Sequence, residues 1–162
     1  MLNCCHVGDK IMNNKVELKF KKLCPDVELP QYAKPLDSGM DIKAYLDSKK
    51  DVALYVGKIT LIPTKLSVEI PHSHELQVRP RSGMAIKKGI TVINSPGTID
   101  EGYRGEIKVG LVNLGREPVY IKHGDRIAQL VLAPITRANI VEANELSETN
   151  RGDGGFGSTG DK

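Results

Sequence analysis

Asp100 is the carboxylate best placed for acid–base chemistry. It stands in Asn94-Ser-Pro-Gly-Thr-Ile-Asp100-Glu-Gly-Tyr103-Arg104-Gly105, just ahead of a clear strand that starts at Ile107. Asn94 to Val109 reads as a long hairpin, with Glu101-Gly102 as a tight turn and Asp100 and Tyr103 flanking it. A carboxylate beside a tyrosine can serve as a general base with an aromatic wall. Gly97, followed by Thr98 and Ile99, lets the backbone approach a ligand closely. The plainer reading is a surface turn, where Asp is favoured in any case.

Three further segments carry polar groups at strand boundaries. Pro80-Arg81-Ser82-Gly83 follows one strand and opens the only short helical pattern, Met84–Lys88. Backbone N–H groups at such a junction can cradle phosphate oxygens, with a hydroxyl from Ser82 and a charged fork from Arg81. A simple serine-capped turn fits the same residues. Ser38-Gly-Met-Asp41-Ile-Lys-Ala44 puts an acid just inside a strand, where Asp is depleted. Orienting metal-bound water or satisfying a sheet edge would each account for Asp41. Gly124-Asp-Arg-Ile-Ala-Gln129 leads into an apolar strand, and Gln129 must be hydrogen-bonded if it is buried.

The C-terminal segment Arg151-Gly-Asp-Gly-Gly-Phe156-Gly157-Ser158-Thr159-Gly160 contains five glycines and one of only two phenylalanines. Glycine brings no side chain to bury and loses the most entropy on ordering, so this is no core segment. A flexible tail is the default. Phe156 argues for more. A ring to stack on a base, hydroxyls and Arg151 for phosphate, and glycines for a hinge make a lid that orders on its ligand. It is no Walker A loop, because the lysine and the following helix are missing.

The elements that must position these groups are strands. Val16, Leu18 and Phe20 alternate with charged residues. Val52-Leu54-Val56, Leu66-Val68-Ile70 and Ile107-Val109-Leu111 repeat that period of two. Leu76–Val78, Ile90–Ile93, Val119–Ile121 and Ile127–Leu132 are further expected strands. Pro63, Pro71, Pro80, Pro96, Pro118 and Pro134 punctuate the runs, as proline does at sheet edges and turns. Ile135–Glu148 is only weakly amphipathic. The pattern predicts an all-β sandwich, jelly roll or barrel with at most one short helix. The expected organisation is a leader over 1–14, a β domain over 15–145 and a glycine-rich arm over 146–162.

Composition bounds the rest. The 162 residues suffice for one domain with a real core. A net charge of +3 with no dense basic run gives no ground for a nucleic-acid or membrane partner. Cys4, Cys5 and Cys24 are too few and too clustered for a disulfide framework, and adjacent cysteines lack zinc-ligand spacing. No apolar run reaches the length of a signal-peptide core or a membrane span, so a cytoplasmic protein is expected.

Taken in order, the five segments resemble the motifs of the trimeric dUTPases. The first matches Ser38–Ala44, the second Pro80–Ile90, the third Asn94–Leu111, the fourth Gly124–Leu132 and the fifth Arg151–Gly160. The likeness runs from residue 15 to residue 160. The family often has alanine at Ser38 and a second acid at Gly102, neither a position expected to do chemistry.

The resemblance implies a distorted β jelly roll, a homotrimer with shared active sites, and hydrolysis of dUTP to dUMP and pyrophosphate. That reaction supplies dUMP for dTMP synthesis and keeps uracil out of DNA. By analogy Asp100 is the general base, and Asp41 holds waters of a Mg²⁺ cofactor. Arg81, Ser82, Gly83, Gln129, Arg151, Ser158 and Thr159 bind phosphates. Asn94, Gly97, Thr98, Ile99, Tyr103, Lys108, Phe156 and Gly157 surround the nucleoside. The same analogy has the phosphate-binding turn, the base-reading hairpin and the arm coming from three different subunits. Two rivals are a dCTP deaminase, which shares the fold class, and a non-enzymatic β module. The first lacks reason for the Asp100–Tyr103 segment and Phe156. The second leaves Asp41, Asp100 and the tail without a common purpose.

Overall fold

A computed structural model describes residues 16–155. Twelve short strands and one helix account for its regular structure: β1 Lys19–Lys22, β2 Gln31–Tyr32, β3 Met40–Lys43, β4 Val52–Leu54, β5 Ile59–Pro63, β6 Leu66–Glu69, β7 His74–Arg79, α1 Ser82–Lys88, β8 Ile90–Val92, β9 Gly97–Ile99, β10 Lys108–Asn113, β11 Val119–Ile121 and β12 Arg126–Pro134. Every named strand pair is antiparallel. The strands form a five-stranded sheet β2-β3-β12-β7-β9, a three-stranded sheet β5-β10-β8 and the pairs β1-β6 and β11-β4. This is the distorted jelly roll expected from the alternating pattern.

The inward faces of the strands meet in one core. Ile42, Leu54, Ile62, Leu66, Leu76, Ile90, Ile107, Leu111, Ile127 and Leu130 are its large, fully buried side chains. Each such side chain stabilises the fold by about 1.5–3 kcal/mol relative to exposure. Asn113 is buried with them and fully bonded. Its Nδ2 donates to the carbonyls of Leu54 and Glu117, both at 2.8 Å, and its Oδ1 accepts the Gly115 N–H at 2.8 Å. Among the described residues no buried side-chain polar atom lacks a partner.

The alternating segments all form strands, and α1 occupies the predicted helical stretch. Its N-cap is Arg81, without a side-chain capping bond, so Ser82 is the first helical residue and not the cap. It stops at Gly89, whose left-handed φ of 68° and close approach to the Gly115 backbone both require glycine. Two strands escape the period-two reading. β2 has only two residues, and β5 carries exposed Ile59 and Leu61 on the face opposite buried Ile62, which hides its alternation. Ile135–Glu148 forms neither helix nor strand.

The predicted hairpin is corrected. β9 pairs with β7, in the register Val78↔Gly97, and not with β10. β10 pairs instead with β8 and β5. Residues 100–107 are therefore a loop between two sheets. The pairing partners of Gly97–Ile99 lie some twenty positions upstream, beyond what local turn chemistry can reveal.

Candidate active site

That correction is what opens a pocket. β8 stays paired to β10 as far as Ile93, whose N–H donates to the Gly110 carbonyl at 2.9 Å, and the chain then leaves that sheet, so β9 stands apart from β10. The gap holds about 200 Å³. Val78, Val92, Ile99, Ile107 and Val109 are its buried apolar lining. Asn94, Gly97, Thr98, Ile99, Asp100, Tyr103 and Lys108 all line it, so every described residue predicted for base, sugar or general base falls here. Asp100 is exposed to solvent.

Small residues keep the pocket open. A Cβ on Gly97 would stand 3.1 Å from Asn94 Nδ2 and 3.3 Å from Val78 Cβ. A Cβ on Gly110 would stand 3.1 Å from Ile93 Cγ2. Tyr103 folds over the loop that carries Asp100. Its N–H donates to the Asp100 carbonyl at 3.0 Å, its hydroxyl donates to the Glu106 carbonyl at 2.9 Å, and its ring fills the place a side chain would take at Gly105. Arg104 Nη1 braces the same turn by donating to the Glu101 carbonyl at 2.6 Å. At Gly102 a Cβ would meet nothing within 4 Å, so an acid would fit there equally well.

A second constellation lies elsewhere on the same chain. Asp41, on β3, accepts from Arg81 Nε at 2.7 Å and from Arg126 Nη1 at 3.1 Å. Gln129 is the register partner of Asp41 on β12, and its Nε2 donates to the Pro80 carbonyl at 2.9 Å. Gln129 is half-buried and bonded, as its apolar neighbours require. Gly39 leaves room beside it, since a Cβ there would meet Gln129 Oε1 and push the amide aside. Ser82 and Gly83 follow directly as the first residues of α1, with N–H groups that precede any partner inside the helix. None of these residues lines the pocket at Asp100.

Arg151 is exposed, and its Nε donates to the Gly154 carbonyl at 2.9 Å within a turn. Phe156, Gly157, Ser158 and Thr159 lie outside the described residues, as do Cys4 and Cys5 and the leader over 1–14. Cys24 is a free thiol packed against the core.

The family model for dUTPase matches residues 26–160, a span that holds both constellations and the glycine-rich segment. The chain belongs to the dUTPase family. Relatives of that family match it over most of their length. A deoxyuridine 5'-triphosphate nucleotidohydrolase of Desulfotalea psychrophila is 56% identical over 134 residues, covering 83% of this chain and 88% of the relative. One from a Hydrogenobaculum species is 50% identical over 147 residues, covering 91% and 100%. Among solved structures, the dUTPase of Staphylococcus bacteriophage 80alpha with dUPNHPP is 26% identical at a TM-score of 0.75, covering 90% of this chain and 99% of that one. A mutant dUTPase of S. aureus phage phi11, described with a structural Mg(II) ion, shares the fold at a TM-score of 0.69 and 23% identity, covering 80% and 98%.

dUTPases hydrolyse dUTP to dUMP, so the two constellations can be read against one substrate. Sequence reasoning missed several residues of both. Arg126 makes the second bond to Asp41, and its only local signal is a cation placed at the mouth of an apolar strand. Gly110 is a glycine inside β10, between buried Val109 and Leu111, and a glycine in a strand interior is a signal of close approach that was open to view. Glu101 and Glu106 carry no such mark, since acids in a turn are ordinary.

Proposed function

We propose that the pocket between β9 and β10 is where this dUTPase-family chain holds the nucleoside of dUTP, with Asp100 as general base for the water that attacks the α-phosphorus. The observation that carries this is the coincidence of the predicted nucleoside residues with one cavity that has Asp100 in its wall. The Asn94 amide and the backbone of Gly97–Ile99 and Lys108 would match the donor and acceptor edge of uracil. Cytosine would leave those groups unpaired, a mismatch worth ~10⁴-fold or more. The close backbone at Gly97–Ile99 excludes the thymine methyl group, and the Tyr103 ring packs on the sugar. A base such as Asp100 contributes typically ~10²–10⁴-fold.

The cavity of about 200 Å³ is small beside the roughly 300–1,000 Å³ of ordinary ligand sites. It suits a base and sugar and leaves the triphosphate outside. Arg81, Ser82, Gly83 and Gln129 supply the phosphate-binding chemistry but stand apart from it in the same chain. A homotrimer that brings one subunit's Arg81 turn to another's Asp100 pocket reconciles the two. The arm over 146–162 then closes the site, with Phe156 and Gly157 over the base and Arg151, Ser158 and Thr159 on the terminal phosphates. The enzyme works on the free nucleotide in the cytoplasm.

The donor set suits Mg²⁺ carried by the substrate and not a protein cage. Among the described residues no three His, Cys, Asp or Glu side chains are grouped to hold a metal. Mg²⁺ commonly keeps several waters and binds through one or two carboxylates plus phosphates. Asp41 would be that carboxylate, acting through water, since each of its oxygens already accepts one guanidinium bond and retains a lone pair. When bound, Mg²⁺ supplies charge neutralisation on the triphosphate.

Pyrophosphate release from dUTP, dCTP, dTTP and UTP, with and without Mg²⁺, and ammonia release from dCTP, test the reading together. Asp100→Asn should keep assembly and nucleotide binding and lose turnover; unchanged turnover removes Asp100 as base. Truncation after Asn150 should leave a folded core with crippled hydrolysis, and full activity would end the arm's role.

A further inference from the structure

We propose that Glu101 is a positioning residue, fastening one end of the loop that carries Asp100 and so setting where the Asp100 carboxylate stands. The inference rests on Asp100 as the general base.

β6 is paired with β1 along one edge. At the start of β6 the loop over residues 100–107 is attached by a backbone bond, Ile107 N–H to the Leu66 carbonyl at 2.7 Å. The chain segments that lead into and out of β6 contain Lys65 and Ser73, with φ of 53° and 62°. Each of these left-handed residues points its N–H at a glutamate of the loop. Glu106 Oε1 accepts the Lys65 N–H at 2.9 Å, and Glu101 Oε2 accepts the Ser73 N–H at 3.2 Å. Glu101 Oε1 also meets His72 Nδ1 at 3.1 Å.

The bonds of Tyr103 and Arg104 run within the loop and shape it without attaching it. The Ile107 end has three external ties: the Leu66 carbonyl, the Lys65 N–H through Glu106, and Thr64 Oγ1 donating to the Ile107 carbonyl at 2.6 Å. At the Asp100 end, Glu101 supplies the side-chain ties. β9 supplies the backbone ones, ending at Ile99, which pairs with Leu76. Ser73 is itself held from the other side, where the Ile135 N–H donates to its carbonyl at 2.9 Å. Glu101 thus ties the residue after the base to a turn anchored at β12. It does not line the pocket.

The test is steady-state kinetics and thermal melting of Glu101→Ala, Glu101→Gln and Glu101→Asp beside Asp100→Asn. A displacement on the scale of an ångström can cost about 10²-fold, so Glu101→Ala should lower kcat roughly 10- to 100-fold. KM for dUTP should stay within about twofold, because the nucleoside contacts are untouched. Glu101→Gln, whose amide oxygen still accepts the Ser73 N–H, should recover most of kcat. Glu101→Asp keeps the charge but shortens the reach, and should lower kcat with melting unchanged, which covers the case of an alanine variant that fails to fold. Parental kcat in Glu101→Ala or Glu101→Asp overturns the proposal, as does a glutamine variant no better than the alanine one. If Asp100→Asn keeps its turnover, the base assignment has failed. If Asp100→Asn is dead while Glu101→Ala is fully active, only the positioning role has.

Discussion

Asp41 and Gln129 face each other across the β3–β12 register, and both reach the same corner of chain. Gln129 holds the Pro80 carbonyl and Asp41 holds the Arg81 guanidinium. The turn proposed to bind phosphate is thereby aimed by two strands that are not its sequence neighbours.

Asp41→Asn should weaken this aim without unfolding the chain. It removes the charge that offsets Arg81 and Arg126 together. Hydrogen bonds to charged groups are worth about 1.5–3 kcal/mol, so KM for dUTP should rise roughly 10- to 100-fold. Steady-state kinetics alongside a melting curve would check it. A parental KM would show that Arg81 needs no holding.

Gly39→Ala attacks the other half of the corner. Its new Cβ takes the space of Gln129 Oε1, and the amide must leave Pro80. Loss of one neutral hydrogen bond, about 1 kcal/mol, should lower Tm by roughly 2–4 °C in a chain of this size. Phosphate affinity should fall with it. Isothermal titration with a non-hydrolysable dUTP analogue would measure that loss.

Asn113→Leu probes the core. It strands the Leu54 carbonyl and the Gly115 N–H and loses the tie to Glu117. Unfolding free energy should drop by about 2–4 kcal/mol. Urea denaturation should show a lower midpoint with an unchanged slope.

Glu101 predicts a pH effect. The bond from His72 first, then the Ser73 N–H and the charges of His72 and Arg137, hold its carboxyl below the usual carboxylate range. Its folded pKa is depressed, so this stabilisation is present above the unfolded-state value and is lost as pH falls through the folded one. Arg104 also faces the turn but bonds its backbone carbonyl. The stability difference between the parent and Glu101→Gln should therefore shrink as the solution is acidified through the carboxylate range. Urea midpoints at stepped pH would follow it, and a gap that stays constant would contradict the linkage.

Much of this architecture is legible in the residues. The alternation in Leu66-Val68, Leu76-Val78 and Val109-Leu111 places strands correctly because one face of each is buried. The pocket residues are legible too, since Asn94, Gly97, Asp100 and Tyr103 are close in sequence. Pairing is where sequence reading stops. Nothing near Gly97–Ile99 shows that its partner is Leu76–Val78 and not the strand that follows. Asp41 is conspicuous as an acid in a strand, yet its arginines come from 40 and 85 positions away. β5 hides because exposed Ile59 and Leu61 mimic a buried run. What remains unread is contact at long separation, which period and turn chemistry do not encode.

The segments on either side of β6 carry a further consequence. Lys65 and Ser73 each present a backbone N–H to a carboxylate at a different point of one loop. Their spacing therefore acts as a ruler. An inserted or deleted residue between them would shift one contact relative to the other and pull the Asp100 segment out of line. Residues 48–50 are exposed and make only local bonds, Lys49 N–H to the Leu46 carbonyl and Lys50 N–H to Ser48 Oγ. Length variation, epitope tags and engineered insertions belong there, and the stretch from Lys65 to Ser73 should tolerate substitution far better than any change in length.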